Sequence, residues 1–481
     1  MTILFKLYTL FLFVLISSGL NAQNKLIDAL NDFVLDPELK NASINCCVWD
    51  VESSEIILET EPQISVVPAS VLKTITTATA LELLGPDYTF KTTLSYSGEL
   101  NKKTGVLTGD LLIKGGGDAS LGSEHFEEHY NDLDQKWIDA IKEAGIKKIE
   151  GKILYDASIY DEQQIPRTWI WEDMGNYYGA GALGLNIFDN MYRIYFNSPK
   201  VPGKPTQIVK IDPEIPGLEL DNQVKSAPGN RDNAYVFGSP YDMSRVVRGT
   251  IPANRKSFSV KASIPNPPLF VAQYLRKLLL DEGIRIEGEV GRNNASSNNN
   301  YTSLCTIESP TLKEIIRETN VESINLFAEQ LLKHIGLQLN GEGSTKSGVK
   351  AVMNFWEEKG IQCDGMFLVD GSGLSRFNAI TARQLVDIIG YMCVQSPNSR
   401  EYINSLPEAG VNGTMKYYFK DRLPHDGRIK TGSMTRVRSM AGLVGPKGNR
   451  KVFAIMVNNY SCSGSELKKK MEHLVLMIND Y

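Results

Sequence analysis

The sequence predicts an α/β protein of the α+β kind: antiparallel sheet with flanking helices, interrupted by a large, mostly β insert. Three observations carry this. Val71–Leu84 runs without Gly or Pro and stops at Gly85-Pro86, which reads as a helix. Near the end, Ser439–Val444 and Lys451–Val457 are strand-like and joined by the turn Gly445-Pro446-Lys447-Gly448. The stretch from Lys73 to Ser323 is far longer than one helical subdomain needs, and its character changes to short alternating runs.

Taken in order, Ser43–Asp50 and Glu55–Glu59 are early strands that should pair with the two late ones. Phe90–Leu121 alternates strand-like runs with Gly and polar turns, and Lys148–Leu154 and Gln207–Ile211 look similar. The polar run Asn293–Asn300 marks a solvated loop near the point of return. The insert is therefore 96–299, one or two subdomains, and residues 23–95 and 300–481 form one discontinuous domain. Two helical patterns follow, Leu312, Ile315 and Ile316, then Leu326, Phe327, Leu331, Leu332 and Ile335, with a corner between them. The last helix spans Ser465–Asn479, with Leu467, Met471, Leu474, Val475 and Ile478 on one face to cover the sheet.

Hydrophobic residues make up 42% and charged residues 22% of the 481-residue chain, ordinary values for a protein with several buried cores. A net charge of −5, with charges scattered, argues against a nucleic-acid partner. Lys6, the apolar run Leu7–Ile16 and small residues to Ala22 read as a cleaved secretory signal, 1–22, too short for a comfortable membrane span. A periplasmic protein is expected, with at most peripheral membrane contact; Lys468–Lys470 is read as a solvated helix face. Six cysteines define no disulfide scaffold, and the neighbours Cys46 and Cys47 on a strand point to opposite faces.

Three motifs stand in the order that a serine acyl-transfer enzyme needs: Ser70-Val71-Leu72-Lys73, Ser323-Ile324-Asn325 and Lys430-Thr431-Gly432. Each alone is weak. S-x-x-K recurs at Ser347/Lys350 and Ser465/Lys468, S-x-N at Ser43/Asn45, Ser297/Asn299 and Ser396/Asn398, and K-T-G at Lys103-Thr104-Gly105 in a hairpin turn. Context separates the set. Ser70 opens a helix, so Lys73 shares its face and the helix N-terminus adds positive potential. Ser323 and Asn325 occupy the inter-helix corner, and Lys430 begins an edge strand with room for a bound peptide.

With Gly109-Asp110-Leu111, Gly115–Leu121, Tyr155–Ser158, Trp171–Met174, Tyr178-Gly179-Ala180 and Asp370–Arg376, the chain resembles the D-alanyl-D-alanine carboxypeptidase/endopeptidase family, the class C low-molecular-mass penicillin-binding proteins. The resemblance covers nearly all of the mature chain. It implies a β-lactamase/transpeptidase-like domain carrying inserted domains, an acyl-serine mechanism without metal or organic cofactor, and peptidoglycan peptides and β-lactams as partners. It further implies Ser70 as nucleophile and Lys73 as its base, with the Lys430 ammonium lowering the Lys73 pKa. Ser323 passes protons to the leaving amine, Asn325 holds the substrate amide, and Lys430 with Thr431 binds the terminal carboxylate. Gly432 completes that motif, and the N–H groups of Ser70 and Ser433 form the oxyanion site. A diaminopimelate end would be read by Asp156 and Arg376, with Thr435 adding a hydrogen bond. The competing roles for those two are a turn cap and a loop brace.

Alternatives remain. A β-lactamase or D-amino-acid esterase uses the same fold, and an inactive wall-binding scaffold keeps it without activity. His125-Phe126-Glu127-Glu128-His129 matches the inverted zinc-peptidase pattern H-x-x-E-H, but its polar surroundings read as an exposed helix and no third ligand is evident.

Overall fold

The structure, a computed structural model, describes residues 23–293, 300–419, 422–423 and 427–481. The expected export segment 1–22 and positions 294–299 of the polar run lie outside the described residues. Five strands form one antiparallel sheet: β1 (Ser43–Asp50), β2 (Glu55–Thr60), β3 (Arg428–Met434), β4 (Val437–Val444) and β5 (Lys451–Asn458), in the order β3-β4-β5-β1-β2. Early strands therefore do pair with late ones, Ser43 opposite Asn458 through Asp50 opposite Lys451. β3 is an edge. It turns into β4 through Thr435-Arg436, with Met434 paired to Val437, and Arg436 takes the left-handed φ of 63° that so tight a turn demands.

The sheet has a core on each face. Cys46 joins the cluster with Phe453, Leu474 and Ile478, whereas Cys47 joins the opposite one with Val71, Ile75 and Phe327. All six cysteines are unpaired. The C-terminal helix Gly464–Asp480 supplies the first cluster, starting at a Ser463/Glu466 capping box. Two of its three adjacent lysines have partners inside the chain: Lys468 over the Tyr418 ring, and Lys470 on Asp36 and Glu38. The second core holds α1 (Lys73–Leu84), α2 (Leu312–Val321), α3 (Asn325–Asn340), α4 (Thr345–Glu358) and α5 (Ala382–Val394). α1 is buried almost all round, which explains its lack of a polar stripe.

The intervening region carries four sheets and two long helices, Leu133–Glu143 and Pro267–Asp281. Its five-stranded sheet reaches past 96–299 at both ends. Lys91–Tyr96 pairs with Leu111–Lys114 on one side and with Thr302–Glu308 on the other. Lys148–Leu154, expected as one strand, breaks into Lys148–Ile149 and Ile153–Asp156, which belong to different sheets. Glu150-Gly151 forces the break: a Cβ on Gly151 would sit 2.2 Å from the Gly109 carbonyl. Among the described residues, no helix is long and apolar enough to cross a membrane.

The insert is fastened to α3, the helix that begins at Asn325. Buried Lys333 gives its three protons to Asp161 Oδ1 (2.8 Å) and to the carbonyls of Gln163 (2.7 Å) and Ala182 (3.0 Å). Asn186 donates to Gln330 Oε1 at 2.9 Å and to the Asp118 and Leu183 carbonyls, while accepting from Leu183 N and Asn190 Nδ2. Asn186→Ala orphans several buried partners at once, so thermal unfolding should show a loss of about 1–3 kcal/mol per uncompensated group. An unchanged melting temperature would show that this joint bears no strain.

Candidate active site

Ser70 lies in a 3-10 turn, Ala69–Leu72, that passes directly into α1 at Lys73. Ala69, just before it, is held at a left-handed φ of 50°. Two contacts fix this turn against the sheet. Ser439 Oγ on β4 donates to the Pro68 carbonyl, and Gly432 on β3 comes so close that a Cβ there would stand 2.9 Å from Ser70 N and 2.7 Å from Pro68 O. Only glycine admits that approach, so the edge strand and the Ser70 N–H form one wall of the cleft.

Lys73 Nζ donates to Ser70 Oγ at 3.1 Å, Asn325 Oδ1 at 2.6 Å and the Ser372 carbonyl at 2.7 Å. The last two can only accept. A neutral amine must therefore spend both of its protons on them, which leaves its lone pair facing the Ser70 hydroxyl. Burial lowers the Lys73 pKa to about 7, against an opposing pull from Asp370 and Glu329. Burial, not the expected Lys430 ammonium, is the cause; the repulsion registers on Lys430, held well below its usual range by burial and then by Lys73.

Ser323 sits at the α2–α3 corner with a left-handed φ of 61°, and its Oγ accepts from Lys430 Nζ at 2.9 Å. Lys430 also donates to the Thr431 carbonyl at 3.0 Å. Asn325 uses its Nδ2 on the Tyr178 carbonyl at 2.8 Å, so Tyr178 and Lys73 meet at one amide. Beside Ser323 and Asn325 opens a cavity of about 380 Å³, also lined by Tyr177, Tyr178, Lys261 and Glu322. Ser433 and Thr435 are exposed on the edge strand and its turn.

The structure does not bring Asp156 to Arg376. Asp156 ends the strand Ile153–Asp156, and its Oδ1 caps a turn by accepting from Ser158 N at 2.9 Å. The acid near the exposed Arg376 is Asp173: burial raises its pKa, with Tyr178 and then Arg376 pulling it back. Its position in Trp171–Met174 was visible, but nothing local says which acid crosses the cleft. Sequence reasoning also missed Glu329 and the Ser372 carbonyl.

His125 occupies a short 3-10 turn, Glu124–Phe126, not a helix, and His129 Nε2 meets the Glu308 carbonyl at 2.9 Å. The H-x-x-E-H spacing thus brings no pair of histidines onto one helical face. Glu124, His125 and Asp189 do place ligand atoms within 4.8 Å of one another. Glu124 is, however, bound by Arg193 and, at 2.7 Å, by Lys261. A carboxylate neutralised by two cations is a poor metal ligand.

Residues 26–481 match the D-Ala-D-Ala carboxypeptidase 3 (S13) family. The chain belongs to that family. It is 28% identical over 450 residues to a D-alanyl-D-alanine carboxypeptidase of Actinomadura sp. (strain R39), covering 90% of this chain and 80% of that protein. It is 25% identical over 444 residues to the D-alanyl-D-alanine carboxypeptidase DacB of Haemophilus influenzae, covering 91% and 89%. In fold it is similar to penicillin binding protein 4 (dacB) of Haemophilus influenzae, with a TM-score of 0.79 at 23% identity over 94% of this chain and 98% of that one. A second structure of that protein, in complex with a β-lactam, gives a TM-score of 0.74. This S13 chain is a serine-type D-Ala-D-Ala carboxypeptidase with a β-lactamase/transpeptidase-like fold.

The close pass of β3 over Ser70 gives a test specific to this S13 site. Gly432→Ala should fold, because the clash lies at an edge, but should acylate with penicillin about a hundredfold more slowly as the turn that carries Ser70 is displaced. Stopped-flow acylation at the wild-type rate would mean the strand moves freely.

Proposed function

We propose that the chain works in the periplasm on peptidoglycan stem peptides, removing terminal D-alanine and/or cutting D-Ala–diaminopimelate cross-links through an acyl enzyme on Ser70. One observation carries the mechanism: the Lys73 amine lies 3.1 Å from Ser70 Oγ with its other two contacts on acceptor-only atoms. Neutral Lys73 takes the Ser70 proton as Oγ attacks the D-alanine carbonyl carbon. The developing oxyanion takes hydrogen bonds from the N–H groups of Ser70 and Ser433. The C–N bond then breaks, and its nitrogen receives, by way of the Ser323 hydroxyl, which touches Lys430, the proton that Lys73 took, so that Lys73 is neutral again. Water attacks the ester as Lys73 takes its proton, and the same proton returns to Ser70 Oγ when the ester bond breaks.

Lys430 and Thr431 bind the substrate's terminal carboxylate. The second proton of Asn325 Nδ2, the one not given to Tyr178, remains for the substrate amide carbonyl. A β-lactam, which mimics the D-Ala-D-Ala end, forms the same ester; the β-lactam complex of the Haemophilus protein supports this. Export is supported by the segment ending at Ala22, so N-terminal sequencing of the mature protein should begin near Gln23.

Ser70→Ala should fold and give no penicillin adduct by intact mass, and Lys73→Ala should behave alike; an undiminished adduct on Ser70→Ala rejects the nucleophile. In the wild type, acylation should rise with pH through a midpoint near 7. The amine is active when neutral, and its lowered pKa puts half of it in that form there. A midpoint near the ordinary lysine value would refute a buried base.

Diaminopimelate ends in an ammonium and a carboxylate, and Asp173 and Arg376 supply the matching pair. Arg376→Ala should lower kcat/KM for stems with a free diaminopimelate end by about tenfold to a hundredfold, equivalent to about 1–3 kcal/mol. Simple acyl-D-Ala-D-Ala peptides should lose far less, and equal losses would make Arg376 a loop brace.

A further inference from the structure

Behind Lys73 lie two buried acids that the chemistry at Ser70 leaves without a task. Asp370 is 1% exposed, and Glu329, one turn after Asn325 on the same face of α3, is 2% exposed. Asp370 is saturated by Trp169 Nε1 (2.9 Å), Gly373 N (2.8 Å), Ser375 N (2.6 Å) and Asn378 Nδ2 (2.7 Å). Glu329 Oε1 accepts from Gly371 N at 3.1 Å and from Ser372 N at 2.8 Å. Ser372 then presents its carbonyl to Lys73 Nζ at 2.7 Å. The loop cannot reach this place by bulk packing alone. A Cβ on Gly371 would stand 2.8 Å from the Ala328 carbonyl, and one on Gly373 would stand 2.1 Å from the Ala69 carbonyl.

We propose that Glu329 is a positioning residue for the base: by gripping the N–H groups of Gly371 and Ser372 it aims the Ser372 carbonyl at Lys73, and so turns the amine lone pair toward Ser70. The proposal rests on Lys73 acting as the base. It assigns Glu329 a geometric task, not an electrostatic one. Two neighbouring buried carboxylates do not both ionise readily. Burial and then Asp370 raise the Glu329 pKa. The charged groups around it are Lys73 on α1, Asp370 on the loop, and Lys333 one turn further along α3, whose ammonium is committed to Asp161.

Two mild substitutions separate position from charge. Glu329→Gln keeps the length and an oxygen able to take both N–H groups. Glu329→Asp keeps the acid but falls a methylene short of them. The full chain is mixed with a chromogenic β-lactam, and the acylation rate constant at saturation is measured apart from the dissociation constant of the initial complex. Glu329→Gln should stay within about threefold of wild type, with its acid limb still near pH 7, while Glu329→Asp should fall by about tenfold or more at unchanged initial binding. Equal or better acylation by the Asp variant would overturn the proposal in favour of charge. Wild-type rates in both would show that Ser372 needs no support, and parallel losses of binding, acylation and melting temperature would reduce Glu329 to a fold residue. Failure of the wild type to acylate would instead sink the serine mechanism itself.

Discussion

An amine kept from water and given only two places to put its protons is the constraint on which this molecule depends. An exposed lysine would be an ammonium and no use as a base; burial makes neutrality accessible near physiological pH. Burial alone would leave the lone pair free to rotate. Asn325 and Ser372 remove that freedom, and each comes from a different element packed on α1. Ser70, Asn325 and the Ser372 carbonyl, from three separate stretches of chain, meet at a single nitrogen, with left-handed backbone at Ala69 and Ser323 beside two of them.

Local signals were enough for the motifs. Ser70 and Lys73 share a helix face because of their spacing, Ser323 lies where one apolar periodicity stops and the next begins, and Lys430 precedes two strands separated by Gly and Pro. The same logic separated the true Lys430 motif from Lys103-Thr104-Gly105, which the structure places in a turn between Glu99–Asn101 and Val106–Thr108.

What failed to show was non-local. Phe90–Leu121 reads as strand-like, but nothing local says that Lys91–Tyr96 pairs with Thr302–Glu308 across two hundred residues of chain. Asp156 and Asp173 are both acids in family-like stretches, and only the three-dimensional path of the insert decides which meets Arg376. Glu329 reads as one polar position in an apolar helix. Its two N–H partners, Gly371 and Ser372, offer no side-chain signal at all.

The pairing of β1 with β5 has a temporal meaning. β1 pairs at once with β2, but its other edge stays open until β5 is made, since Ser43 lies opposite Asn458. A polypeptide emerging N-terminus first therefore carries Ser70 through most of synthesis without β3, without Lys430 and without a completed sheet beneath it. Such long-range closure is slow, because loop entropy must be met before any contact rewards it. The site of this carboxypeptidase therefore stays unassembled until β3 to β5 have been made.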